Sequence, residues 1–150
     1  MSDAARSDYQ LDHVCLAVRK IAPARAMLEK MLGYSPRTEI VNNTRQQVNV
    51  QFMRKAGSID IKLIEPSSLT SPLVDFIKER GGGLHHLAFK TGNVADGVRD
   101  LESRGARVLT PPQPGEAFDE AEIAFAFLGA GLNVELIDTD RRRLDKSAQE

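Results

Sequence analysis

Apolar and polar residues alternate along several short stretches of the chain, and this alternation predicts β-strands. In the stretch SIDIKLIEP, residues 58–66, Ile61 and Leu63 fall on one face of such a strand and Ile64 on the other. Lys62 shares the face of Ile64, in the middle of the strand. A charged side chain there needs either solvent or a partner, so its surroundings bear on function.

The predicted elements follow the order β-α-β-β-β twice. In the first half we predict a strand in LDHVCLAV (residues 11–18), a helix over residues 22–32, and strands over residues 35–40, 47–54 and 59–65. A bridging helix over residues 71–80 follows, with Ser71 as its cap and Pro72 at its first position. The second half has a strand over residues 85–91, a helix over 94–104, a short strand near Val108, a proline-rich loop over 110–120 and strands over 122–128 and 132–138.

The two halves also match residue by residue. A shift of 73 positions without any gap pairs identical residues in corresponding elements: His13 with His86, Ala22 with Ala95, Leu28 with Leu101, Glu29 with Glu102, Phe52 with Phe125 and Leu63 with Leu136. The same shift pairs Lys62 with Glu135. Regular self-similarity of this kind indicates a duplicated structural unit.

A duplicated β-α-β-β-β unit predicts an α+β fold in which two modules form a curled mixed sheet around a central cleft. We expect one domain over residues 1–150, built from modules at residues 11–66 and 84–139 with the bridging helix over 71–80 between them. The repeat then brings four side chains together in the cleft: His13, Lys62, His86 and Glu135.

Composition and charge narrow the class of protein. With 150 residues, 41% hydrophobic and 27% charged, the chain is long enough for a compact core. A net charge of −1 argues against nucleic acid and membrane surfaces as partners. The basic run DRRRLDK over residues 140–146 is predicted to belong to a charged, solvated tail over 140–150.

The single cysteine and the N-terminal sequence bear on location. One cysteine, Cys15, excludes an internal disulfide, and MSDAARSDYQ lacks the apolar stretch of a secretion signal. A cytoplasmic location is therefore expected. Cys15 lies in an apolar strand, where a packed and unreactive thiol is the favoured interpretation.

Two histidines and a carboxylate fixed on strands are a typical ligand set for a divalent transition metal. His13, His86 and Glu135 form such a set, but Lys62 occupies the fourth corner. A protonated amine has no lone pair to donate. Three arrangements remain open at this point: a three-ligand metal site, Lys62 in the place of the metal and paired with Glu135, or Lys62 pointing to solvent.

Four stretches carry a resemblance to a known family: LDHVCLAV, SPLVDFI, GGGLHHLAF and GLNVELID, in this order. They resemble the vicinal oxygen chelate superfamily, which includes glyoxalases, bleomycin-resistance proteins and extradiol dioxygenases. Within it the chain is most similar to the methylmalonyl-CoA epimerases, from about residue 11 to residue 138. The resemblance implies metal ligands at His13, His86 and Glu135, with Lys62 replacing the family's glutamine or glutamate.

The resemblance implies an isomerase that transfers a proton alpha to the carbonyl of a small acyl thioester, with Glu135 as the carboxylate base or metal ligand. A buried Lys62 could supply the positive charge at the developing oxyanion, which makes it a second candidate catalytic group. The cofactor of such an isomerase would be one divalent ion (zinc, cobalt, nickel, manganese or iron), or none if Lys62 fills the metal position. An acyl-CoA substrate and a homodimer are implied as well. Some epimerases have a second glutamate base at the position of Val50, which valine cannot replace.

Other functions of the same fold stay open. Lys62 and the missing glutamate base favour a metal-free binding protein similar to the bleomycin-resistance members. A glyoxalase-type lyase and an extradiol dioxygenase are less favoured.

The stretch NNTRQQVNVQF adds a candidate substrate surface, because alternation places four polar side chains on one face: Arg45, Gln47, Asn49 and Gln51. This face is either a solvated surface or a cleft wall with Arg45 as an anchor for an anion.

Overall fold

The computed structural model describes residues 8–147, which form one curled sheet with helices on its faces. The strands in chain order are β1 (Gln10–Ala17), β2 (Ser35–Pro36), β3 (Val41–Asn43), β4 (Val48–Arg54), β5 (Asp60–Pro66), β6 (Gly83–Lys90), β7 (Arg107–Pro114), β8 (Glu122–Gly129) and β9 (Leu132–Ile137). The helices are α1 (Ile21–Leu32), α2 (Pro72–Arg80) and α3 (Val94–Ser103), and a 3₁₀ helix spans Glu116–Phe118.

The sheet confirms the predicted fold class. Its strand order is β2-β4-β5-β1-β6-β9-β8-β7, with β3 paired to β4. At the centre β1 and β6 run antiparallel, β5 lies parallel to β1, and β9 lies parallel to β6. A shift of 73 positions carries both ends of β1 onto both ends of β6. The two modules therefore meet at their first strands, and the sheet has a pseudo-twofold centre between them.

Local sequence signals explain where the helices begin and end. The Ser71 hydroxyl accepts a hydrogen bond from the backbone N–H of Leu73, and Pro72 is the first residue of α2. α1 ends at Gly33, whose φ of 74° lies in the left-handed region that favours glycine. None of the three helices described has the length and apolar character needed to cross a membrane.

The apolar core is divided by the sheet. The concave face packs against α2 and the 3₁₀ helix, with Phe52 and Phe118 among its fully buried side chains. On the other face α1 and α3 each cover a smaller cluster, around Leu63 and Leu136 respectively. Alternate residues of each central strand thus face either the concave side, which α2 covers, or the outer side, which α1 and α3 cover.

Two edge elements differ from the prediction. Of the strand predicted over residues 35–40 only the short β2 forms, and a second short strand, β3, begins at Val41 beyond the predicted range. The proline-rich stretch predicted as a loop instead continues β7 as far as Pro114, with irregular register against β8. β7 is the last strand in the sheet order, and a strand with one free edge tolerates prolines because their missing N–H groups are not needed for pairing.

The C-terminal segment also departs from the prediction. Arg142 was expected in a solvated tail, yet its side chain is buried, with 3% of the residue exposed. Residue 145 forms a bridge with Thr38, and the Lys146 N–H donates to the carbonyl of Arg37 at 2.7 Å. These contacts hold the segment against the first module. Residues 148–150 of the predicted tail lie outside the described residues.

Candidate functional site

The four side chains singled out by the repeat lie together on the concave face of the sheet. They come from the four adjacent central strands: Lys62 from β5, His13 from β1, His86 from β6 and Glu135 from β9. Register places Cys15 opposite both Lys62 and His86. All four are almost fully buried, with between 0% and 3% of each residue exposed. We refer to His13, Lys62, His86 and Glu135 as the central cluster.

One carboxylate oxygen is the meeting point of the central cluster. Glu135 Oε1 lies 3.3 Å from His13 Nε2, 3.4 Å from His86 Nε2 and 3.5 Å from Lys62 Nζ. Lys62 donates a hydrogen bond to it, whereas the two imidazole nitrogens lack hydrogen-bond alignment and have no other partner. Of the three arrangements left open by the sequence, the one in which Lys62 points to solvent is therefore excluded.

Each histidine is oriented by the residue that precedes it. His13 Nδ1 lies 2.7 Å from Asp12 Oδ2, and His86 Nδ1 lies 2.8 Å from His85 Nδ1. The pairing of β1 with β6 skips a residue at Asp12 and again at His85, which is the signature of a β-bulge. Asp12 and His85 are themselves related by the shift of 73 positions. The repeat thus supplies both histidines and the groups that direct their Nε2 atoms toward Glu135.

His85 is the residue of the candidate site that strand alternation misplaces. A regular strand would direct its side chain away from His86, toward the opposite face. The bulge instead places the two rings 5.1 Å apart, with His85 also stacked edge-on against Phe76 at 4.8 Å. The sequence signal that points to this bulge is the pairing of Asp12 with His85 in the repeat, because both precede a histidine of the central cluster.

The electrostatics of the central cluster favour an ionised carboxylate and neutral imidazoles on β6. Burial raises the pKa of Glu135, but the charge of Lys62 and the two adjacent imidazoles outweigh it and hold that pKa well below its usual 4.5. Burial lowers the pKa of His86, and burial together with the neighbouring His86 lowers the pKa of His85 to about 4. Glu135 is therefore an anion at neutral pH.

Three members of the central cluster suit a divalent metal and the fourth does not. His13, His86 and Glu135 offer ligand atoms within 4.8 Å of one another. Metal–ligand bonds of about 2.1 Å at tetrahedral angles place ligand atoms roughly 3.4 Å apart. The distances from Glu135 Oε1 to the two histidine Nε2 atoms, 3.3 and 3.4 Å, match this spacing. The fourth corner, however, holds the Lys62 ammonium, which has no lone pair and repels a second cation. The set of four as it stands does not fit a divalent ion.

Aromatic rings enclose the charged atoms. Lys62 Nζ lies 5.2 Å from the centre of the Phe118 ring and 5.8 Å from that of Phe52. The guanidinium of Arg142 lies over the same two rings, at 5.1 and 4.5 Å, and binds the carboxylate of Asp12. Ring faces attract cations, so both positive groups are stabilised where water is excluded. The C-terminal segment thereby completes the wall behind His13.

A cavity of about 440 Å³ opens beside the central cluster. Its polar lining includes His85, His86, Arg45, Gln113 and Asn133. The apolar lining consists of Val48, Ile64, Pro72, Leu73, Leu109 and Phe125. An apolar cavity of this size with a few convergent polar groups is typical of a small-molecule site. His86 is the member of the central cluster that borders it.

Of the four polar residues predicted to form a cleft wall, only Arg45 reaches this cavity. Its guanidinium lies 3.4 Å from Glu116 and 3.1 Å from Glu120. Gln47 lies in the turn before β4, with a φ of 56°. Its side-chain amide oxygen accepts a hydrogen bond from the Ser68 hydroxyl at 2.7 Å, so the side chain stabilises the turn and does not line the cavity.

The other two lie on the far face of β4. Asn49 accepts a hydrogen bond from Asn42 at 2.9 Å, and Gln51 donates to the backbone carbonyl of Thr38 at 3.0 Å. Val48, one residue out of phase with them, lines the cavity. The alternation was therefore predicted correctly, but the faces were reversed, because the apolar residues of β4 face the cleft.

Cys15 is expected to be unreactive in the folded protein. It is fully buried, and burial raises the pKa of its thiol to about 12, so the thiolate is scarce at pH 8. We expect a colorimetric thiol reagent to label native protein at least about 1,000-fold more slowly than protein in denaturant. Rapid labelling of the native protein would contradict the described packing of β1.

Comparison with known proteins places the chain in a family. The model of the Glyoxalase/Bleomycin resistance protein/Dioxygenase superfamily matches residues 12–125. The chain belongs to this superfamily. The matched region contains His13, Lys62 and His86, while Glu135 lies beyond its end.

The superfamily relatives include epimerases. The uncharacterized protein YqjC of Bacillus subtilis is 36% identical over 67% of this chain and 70% of its own length. Mitochondrial methylmalonyl-CoA epimerase of Bos taurus is 31% identical over 67% of this chain and 57% of its own, so the chain spans little more than half of this relative. The crystal structure of methylmalonyl-CoA epimerase from Mycobacterium tuberculosis has a TM-score of 0.75 and 27% identity, and the match covers 85% of this chain and 86% of that chain.

Proposed function

We propose that this protein is an epimerase-type enzyme that removes and returns a proton at the carbon next to the carbonyl of a small acyl thioester, as an acyl-CoA. The observation that supports the proposal is the central cluster, which holds a buried anion and a buried cation directly behind His86, the member that borders a small-molecule cavity. Relatives at about 30% identity that are named methylmalonyl-CoA epimerase support the substrate class.

Two groups would divide the chemistry. Glu135, ionised at neutral pH, would accept the alpha proton as the C–H bond breaks, and the electron pair would move to the carbonyl oxygen to form an enolate. Lys62 would supply positive charge to that oxygen. Return of the proton from Glu135 restores the thioester, and inversion follows when the enolate turns its other face to Glu135 before the proton returns. No electrons are exchanged with a second reactant.

Deuterium exchange tests this proposal directly. Wild-type protein is incubated in D₂O with methylmalonyl-CoA and with a panel of other small acyl-CoA thioesters, and alpha deuterium is followed by mass spectrometry. We expect exchange above the uncatalysed rate with at least one thioester and a loss of about 100-fold or more in Glu135→Gln. Glu79→Gln, on the exposed face of α2, is the matched control and should exchange like wild type. Absence of exchange with every thioester would overturn the enzymatic proposal.

A metal-free binding protein of the same fold is the second candidate. It is favoured by one observation: Lys62 and Glu135 neutralise each other, and both are almost fully covered. Such a protein would bind an acyl thioester or another small molecule without exchanging its protons. Calorimetric titration of the same thioester panel separates the two, because binding without exchange supports the second candidate over the first.

A further inference from the structure

Lys62 is fixed in the central cluster by its strand. β5 is hydrogen-bonded on both sides, and register places Lys62 between Cys15 of β1 and Phe52 of β4. The residue is 2% exposed, so its side chain is almost completely shielded from solvent. The ammonium must therefore find its partners inside the protein.

One carboxylate and two aromatic rings surround the Lys62 ammonium. A carboxylate oxygen lies 3.5 Å from Nζ, and the rings of Phe52 and Phe118 present aromatic surfaces within 6 Å. These groups compensate the loss of water around the charge. The two unpartnered Nε2 atoms, on His13 and His86, flank the same carboxylate oxygen at 3.3 and 3.4 Å.

We propose that the Lys62 ammonium supplies the positive charge that a divalent metal would bring, so that the central cluster works without a metal ion. The geometry supports this because Nζ lies 3.5 Å from the same Glu135 oxygen that the Nε2 atoms of His13 and His86 approach at 3.3 and 3.4 Å, so the cation already shares the carboxylate that a metal would need. The part of the inference that concerns catalysis rests on the function proposed above. The part that concerns metal exclusion does not.

In the reaction the ammonium would act as the electrophile. As the alpha C–H bond breaks and its proton moves to Glu135, the electron pair becomes a lone pair on the thioester oxygen. Lys62 then donates a hydrogen bond to this oxyanion, which replaces the one that it gave to Glu135. A positive charge placed in advance where negative charge develops is worth about 10²- to 10³-fold in rate at comparable sites.

Elemental mass spectrometry of untagged protein, purified without chelator and then equilibrated with zinc, cobalt or manganese and desalted, tests metal exclusion. Wild type is expected to retain little metal. Lys62→Gln, which replaces the ammonium with an amide oxygen that can bind a metal, is expected to retain near-stoichiometric metal. Lys62→Arg keeps the positive charge and should stay empty, and the surface variant Lys78→Gln should behave like wild type.

A double variant shows whether any retained metal lies in the central cluster. Lys62→Gln combined with His86→Ala should lose the metal that Lys62→Gln gains, because one of its ligands is removed. Circular dichroism of each variant checks folding. Near-stoichiometric metal in wild type would overturn the inference, and so would a folded Lys62→Gln that stays empty.

The metal measurement and the exchange assay separate the two proposals. If wild type is metal-free and exchanges the alpha proton at the same rate with and without EDTA, both proposals are supported. Metal-loaded wild type with EDTA-sensitive exchange overturns the role of Lys62 but leaves the proposed function in place. Metal-free wild type with metal-loaded Lys62→Gln, and no exchange by either, supports exclusion of the metal and overturns the enzymatic proposal.

Discussion

Replacement of Glu135 by glutamine is expected to lower the free energy of unfolding by about 4 kcal/mol. The substitution removes the anion that neutralises Lys62 and leaves an ammonium that is 2% exposed beside two aromatic rings and two imidazoles. A buried charge without its partner is far more destabilising than the loss of one hydrogen bond. Urea denaturation followed by circular dichroism measures the difference.

A double-mutant cycle identifies the cause. Lys62→Met with Glu135→Leu removes both charges and keeps comparable volume, so it should be more stable than either single variant, Lys62→Met or Glu135→Leu. Glu79→Gln, at the surface of α2, should change the free energy of unfolding by less than about 0.5 kcal/mol. Additive effects in the cycle would show that Lys62 and Glu135 do not stabilise each other.

The same variant carries a pH signature. Because the pKa of folded Glu135 is well below 4.5, the unfolded chain takes up this proton first as the pH falls. The stabilisation is therefore complete above pH 4.5 and is lost as the pH falls toward the folded pKa. The difference in unfolding free energy between wild type and Glu135→Gln should shrink below pH 4.5.

The repeat made the fold and the central cluster predictable from the sequence. A single offset of 73 positions relates β1 to β6 and Lys62 to Glu135, and it holds because equivalent strands meet at a pseudo-twofold centre. Side chains at equivalent positions of such strands must approach each other across that centre. Convergence of residues far apart in sequence therefore followed from self-similarity and strand alternation alone.

Alternation failed wherever the backbone departs from a regular ladder. The bulge at His85 turns its ring toward His86, and no two-residue period contains that information. On β4 the period was right, but the choice of face depended on what covers each side. Val48 borders the cavity together with Pro72 and Leu73 of α2, whereas Gln51 is satisfied by a backbone carbonyl on the far side.

The C-terminal segment could not be predicted because its contacts are tertiary. A run of three arginines next to two aspartates is typical of solvated chain, and nothing local distinguishes Arg142 from Arg141 or Arg143. Arg142 differs from its neighbours because Phe52 and Phe118 on the concave face offer one cation-binding surface beside Asp12. Only the assembled sheet brings that surface to the segment.

Replacement of Arg142 by methionine is expected to lower the free energy of unfolding by about 3 kcal/mol. Methionine keeps the packing against Phe52 and Phe118 but leaves Asp12 without its buried cation. Burial raises the pKa of Asp12, while the hydrogen bond with His13 and the charge of Arg142 lower it below its usual value, so Asp12 is an anion that needs this partner. Urea denaturation measures the effect.

The neighbouring arginine provides a matched control. Arg143 is about half exposed and contacts Glu120 only at 4.0 Å, so Arg143→Met should change stability by less than about 0.5 kcal/mol. Arg142→Lys should recover part of the loss, since it restores the charge but not the planar contact with both rings. Equal stability of Arg142→Met and Arg143→Met would mean that the segment is the solvated tail that its composition predicts, and that Asp12 orients His13 without help from the C-terminus.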